Sequence, residues 1–214
     1  MRILTIVFCL FCSVLFAQNK FVNSVHIDFF GNQVDGDGYS GYSHIGVQTG
    51  LGSLYLLGKL NGGIGFEINY VTKGARVWPQ PKNGLNNDFK FNLSYFEVPI
   101  FYVFNKWGVP FEIGPTISYL MEAKREFNGL TSPTFFPYRE IELGGMIGFN
   151  YKMTDKLYFK FRITNSISPI FKVDAGAFRN WSAGNFHRGA GLNLTYYFSK
   201  PNFKQPKEEP REIK

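Results

Sequence analysis

Six charged residues stand where charge is least at home. Glu67, Glu97, Glu112, Glu142, Lys160 and Arg162 sit between bulky apolar neighbours, in GFEIN, YFEVP, PFEIG, IELG and YFKFRIT. A lone buried charge is prohibitive, so each carboxylate needs a cation or water within reach. Such a set can carry protons or ions, or it can form a polar plug of mutually paired groups. Three further patterns could do chemistry. His26 and Asp28 are two apart and share a face, and His44 follows in the next segment, which suggests a His–Asp pair for acid–base work. No nucleophile stands at a telling spacing from them. VDGDGYSG brings Asp35 and Asp37 together as a calcium loop does. It lacks the third oxygen ligand and the closing Glu, so it reads as a glycine-rich turn. Cys9 and Cys12, the only two cysteines, both lie in the first 17 residues. The remainder has no disulfide, thiolate zinc site or cysteine nucleophile. The expectation is no catalytic residue, no cofactor and no metal.

The segments that hold these charges alternate with period two, the mark of strands with two unlike faces. In GGIGFEINY, Ile64, Phe66, Ile68 and Tyr70 oppose Gly65, Glu67 and Asn69. In VPFEIGPTISYLM, Phe111, Ile113, Ile117, Tyr119 and Met121 oppose Glu112, Gly114, Thr116 and Ser118. REIELGGMIGFNYKM, KLYFKFRIT and GLNLTYYF repeat the pattern, and SVHIDFF and HIGVQTGLGSLYLL show it more weakly. The stretch around Pro99 makes the eighth segment. Its parity changes: Phe89, Phe91, Leu93 and Tyr95 agree with one another, but not with Phe96, Val98 and Ile100. A β-bulge near Tyr95–Phe96 would reconcile the two halves and accommodate the proline. The other reading makes residues 89–94 loop.

Composition agrees with this pattern. Of 214 residues, 44% are hydrophobic and 18% aromatic, yet the mean hydropathy is only −0.13. Apolar residues are thus interleaved with polar ones, and nothing after the first 17 residues is long and apolar enough for a membrane helix. Residues 1–17, MRILTIVFCLFCSVLFA, read as a signal peptide, with Arg2 as the charged start and Ala17 before the cut. The net charge is +7, but the basic residues are scattered, which argues against nucleic acid as a partner.

Loop lengths settle the architecture expected. GNQVDGDGYSGY, KGARVWPQPKNGLNND, KREFNGLTSPTFFPY and SISPIFKVDAGAFRNWSAGNFHR are long; GKLNGG, NKWG and MTDK are short. Long and short alternate strictly, as in barrels with tight periplasmic turns and long external loops. The fold predicted is all-β: an eight-stranded antiparallel up-and-down transmembrane β-barrel over residues 18–198, greasy outside and polar inside. Residues 199–214, SKPNFKQPKEEPREIK, read as a disordered periplasmic tail.

Several short motifs occur in an order that resembles the PorT-like outer-membrane β-barrel family of Bacteroidetes. YVTKG (Tyr70–Gly74) is similar to its Tyr-x-x-Lys-Gly, and YFEVPI (Tyr95–Ile100) to its Tyr-Leu-Glu-Ile-Pro-Leu. Gly114-Pro115 matches its Gly-Pro, ELGGMIG approximates its Asp-x-Gly-x-x-x-Gly, and Arg162-Ile163 half-matches its Arg-Tyr. The resemblance implies an outer-membrane location and involvement in protein secretion.

The function expected is that of a structural or binding component of the cell outer membrane, acting through its external loops in a secretion or envelope assembly. Outer-membrane lipid and a protein partner in such a complex are the partners implied. The lumen of an eight-stranded barrel is just wide enough for its side chains, which favours the polar plug for Glu67, Glu97, Glu112, Glu142, Lys160 and Arg162. Trp78, Phe135, Phe136, Phe178, Trp181 and Phe186 fall in the external loops, where they either form a binding surface or pack on one another to cap the barrel. The rivals are a lipid-A-modifying or proteolytic barrel enzyme using His26 or His44, and a soluble lipocalin-like carrier.

Overall fold

Period-two alternation becomes nine antiparallel strands in the computed structural model, which describes residues 21–35, 42–57, 62–79, 87–133, 138–171 and 185–201. They are β1 (Phe21–Asp35), β2 (His44–Leu57), β3 (Gly62–Val77), β4 (Phe89–Lys106), β5 (Val109–Phe127), β6 (Leu130–Pro133), β7 (Ile141–Lys152), β8 (Leu157–Ser166) and β9 (Phe186–Tyr197). No helix occurs among the described residues. Eight strands pair with their sequence neighbours, β5 with β7, and the wall closes where β1 meets β9, from Ser24↔Tyr197 to Asp35↔Phe186. Closure leaves no edge in the wall, the only way a sheet can stand in lipid.

The outward faces are apolar over a defined height. On β5 the exposed residues run Ile113, Ile117, Tyr119 and Met121, with Phe111 half-buried below them. Phe111 to Met121, at ~3.3 Å per residue and a tilt of ~40°, spans ~25 Å, the height of an outer-membrane hydrocarbon band. Beyond Met121 the outward residues become Glu122, Lys124 and Glu126. At the other rim Trp107 is 82% exposed, at the level where aromatic rings favour the membrane–water boundary. Trp107 (φ 55°) and Gly108 (φ 79°) form a two-residue turn with positive φ at both positions, and Asn128 (φ 49°) with Gly129 (φ 79°) forms another. Such turns match the twist of the strands they join.

The strand around Pro99 differs from expectation. Residues 89–94 are strand, and β4 keeps one parity throughout: Phe91, Leu93, Tyr95, Glu97, Phe101 and Val103 are all buried. The register shift does fall between Ser94 and Tyr95, but the extra residue is Met121, on β5. The parity change in the sequence marks a change in what fills the lumen, from apolar near the long loops to polar below. The prolines act on the ladders instead. Pairing lapses where Glu67 and Ile68 face Val98 and Pro99, and again where Ile100 and Phe101 face Gly114 and Pro115. Each proline lacks the N–H that its ladder position calls for.

β3, β4 and β5 continue past the hydrocarbon band on one side of the barrel, and β6 folds back on Lys124–Phe127. The result is a blade standing ~15 Å above the band, for residues 122–127 at ~3.3 Å each and the same tilt. Its outer face carries the ion pairs Arg76–Asp88, Lys90–Glu126 and Lys124–Glu122. Its inner face is apolar around one cation, Arg125, whose guanidinium lies 4.7 Å from the Phe89 ring centre.

Two apolar clusters occupy the ends of the lumen. Val34, Val71, Ala75, Phe91, Leu93, Tyr95 and Ile170 fill the long-loop end, while Val22, Leu54, Phe101, Val103, Met146, Tyr158 and Tyr197 fill the short-turn end. Beneath the latter, Lys200 pairs with Asp155 of the β7–β8 turn at 3.1 Å, and Pro201 is buried. Lys152 and Lys200 together hold the Asp155 carboxyl below its ordinary range. The rest of the expected tail, and the expected signal peptide, lie outside the described residues.

Candidate functional site

Between the two apolar clusters lies a belt of charge. Inward parity places Glu67 on β3, Glu97 on β4, Glu112 on β5, Glu142 on β7, and Lys160 and Arg162 on β8, all buried. They form two groups at different heights rather than one set.

The lower group centres on Arg162. Its guanidinium donates to both oxygens of Glu67, at 2.7 and 2.6 Å, and through Nε to Glu112. The rigid fork suits this bidentate grip: Glu67 reaches it from β3, across the lumen from β8, and Glu112 from β5, two strands away in the wall. Room for it comes from Gly148, which pairs with Arg162 across β7–β8. A Cβ at Gly148 would stand 2.9 Å from Glu112 Oε1 and 3.1 Å from Arg162 Cγ. Lys160 is less tightly engaged, with Nζ 3.7 Å from Glu112 and 3.9 Å from Glu67. Asn150, Lys160, Asn193 and Asp28 occupy one register row across β7, β8, β9 and β1. Asp28 lies 3.9 Å from Arg162. His26 Nε2 meets Asn69 Oδ1 at 3.0 Å and stands 3.6 Å from Glu67.

The upper group centres on Lys73, a residue absent from the expected set. Its ammonium donates to Glu97 at 2.6 Å, Glu142 at 2.9 Å and the Ser118 hydroxyl at 3.2 Å. Glu142 also meets His187 Nδ1, and the Tyr95 ring packs edge-on against His187 with centroids 5.9 Å apart. Lys160 and Arg162 lie on the strand next to Glu142 and by adjacency alone could serve it. They do not, because Arg162 pairs with Gly148, six residues further along β7, ~20 Å at strand rise. The signal for Lys73 was available: it lies six residues beyond Glu67 on β3, hence on the same face.

The other candidates lie apart. His44 bonds Asn92, far from His26, which pairs with Gly50 on the same neighbouring strand. Asp35 is bound by Arg188 at 2.7 Å, and Asp37 lies outside the described residues. Of the loop aromatics, Trp78 is exposed, with the Arg76 guanidinium 3.5 Å from its ring centre. Phe186 is half-buried at the start of β9. Phe135, Phe136, Phe178 and Trp181 lie outside the described residues.

Comparison with known proteins agrees with this geometry. Residues 16–172 match the model of the family described as outer membrane protein beta-barrel domain. Among solved structures the chain is similar to Neisserial surface protein A, with a TM-score of 0.54 and 15% identity over 81% of this chain and 96% of that one. It is also similar to Ail, the attachment invasion locus protein of Yersinia pestis, with a TM-score of 0.47 and 15% identity over 84% of this chain and 99% of that one. No curated protein matches it.

Proposed function

We propose a function from one premise: the chain belongs to the outer membrane protein β-barrel family. It works as a binding or structural component of the outer membrane, through the blade and the long loops rather than through the lumen. The observation that carries this reading is the pair of apolar clusters at either end of the charged belt. With the axis filled, the surface left to meet anything is the one outside the bilayer. On that surface the blade tip leaves Phe127 47% and Leu130 76% exposed, well above any lipid they could rest in. The six charged residues named from the sequence, with Lys73, then serve as a polar plug that stiffens the barrel under the blade.

The finer assignment we propose is a PorT-like protein, exported by a signal peptide over residues 1–17 and forming its barrel over 18–198. Its residues 199–214 form a periplasmic tail, and its partner is a protein of a secretion or envelope assembly. Support for it is the order of the motifs from YVTKG to Arg162. The test is affinity purification of the full chain from gently solubilised outer membranes, alongside a Phe127→Asp, Leu130→Asp double variant. A protein that co-purifies with the natural chain and is lost from the variant is the expected result. An unchanged set of co-purifying proteins overturns the blade as the contact.

A further inference from the structure

A small polar cavity lies beside the upper charged group, at the long-loop ends of β8 and β9. Its lining includes Asn32, Lys73, Thr116, Glu142, Thr164 and His187. The volume is about 10 Å³, room for one water and for nothing larger. His187 is buried, its Nδ1 is engaged by Glu142, and its Nε2 has no partner among the described residues. A buried ring nitrogen left bare is costly, whichever tautomer it belongs to. The lining also reaches Asn165 and Arg188, both exposed, so the cavity faces the long-loop side of the barrel.

From this geometry we infer that the cavity binds a single water, which satisfies His187 Nε2 and links the Glu142–Lys73–Glu97 group to outside solvent. Water fits where an ion does not. Lys73, Glu142 and Arg188 set both signs of charge around the space, and Lys73 and Arg188 each already hold carboxylates. The remaining groups, Asn32, Thr116 and Thr164, offer both donors and acceptors, and a neutral molecule that does both is the one they suit. His187 becomes the entry point for solvent to the belt. His26, between Asn69 and Glu67 in the lower group, does not.

The test is hydrogen–deuterium exchange at the imidazole carbon between the ring nitrogens, followed by mass spectrometry on the full chain in detergent micelles. His187 is expected to exchange several-fold faster than His26. Thr164→Ile, which replaces a hydroxyl lining the cavity with bulk, is expected to slow His187 several-fold and leave His26 alone. Retention of the folded, heat-modifiable gel band shows that the variant has closed its barrel. If it has not, Thr116→Val is read in its place, with the same expectation. Equal rates for His187 and His26 in the natural chain overturn the inference, and so does a rate for His187 that the folded variant leaves unchanged.

Discussion

Arg162 is the residue on which the lower half of the lumen turns. Its fork holds Glu67 and Glu112 at once, while Lys160 stands farther off at 3.7–3.9 Å and Asn69 adds a 3.2 Å hydrogen bond to Glu67 alone. Removing one member of a buried ionic group strands its partners, which costs about 3–5 kcal/mol. Arg162→Ala should therefore lower the melting point and the urea midpoint of the folded gel band in detergent. Arg162→Lys should recover only part of the loss, since an ammonium cannot make the paired contact. A melting curve for Arg162→Ala that overlays the natural protein would show that the belt contributes nothing to stability. The members of this group could be read from the sequence by parity alone. Their partners could not, because pairing depends on height along each strand, and height follows from register.

At the scale of elements, turns and prolines carry the information. Gly108, at φ 79°, closes the tight hairpin between β4 and β5, and nothing lies within 4 Å of where its Cβ would stand. The cost of a side chain there is thus one of backbone conformation and not of crowding. Gly108→Ala should destabilise by about 1 kcal/mol, the left-handed penalty for an L-residue, measurable as a lower urea midpoint with an unchanged slope. The eight wall strands were legible because lipid on one face and polar groups on the other impose alternation. The blade was not. Along β4 the lumen filling switches from Glu97 to Tyr95, Leu93 and Phe91, so both faces look apolar in turn and the strand reads as broken. β6 is four residues long, too short to show a period, and the register shift is carried by Met121 on the facing strand.

For the molecule as a whole, the filled axis makes a direct prediction. The purified barrel in a planar lipid bilayer should show no steady single-channel conductance, because even water that reaches the belt would have to cross its salt-bridged groups and the apolar cluster at the short-turn end. Reproducible open channels would mean that at least one cluster moves aside, and the lumen would return as a functional route. The blade gives the molecule a sidedness that a plain barrel lacks: among the described residues, the sector of β3 to β6 rises beyond the membrane as a sheet.

The grip of Arg162 on Glu67 joins positions 95 apart in the chain, on β8 and β3. Neither hairpin contains its own counterion. A half-built sheet lying in lipid would expose bare carboxylates on one part and a bare guanidinium on the other. Threading the strands into the bilayer one hairpin at a time is thereby penalised at every stage before the seam shuts. Biogenesis of this protein should accordingly be all-or-nothing, with insertion and sealing occurring together.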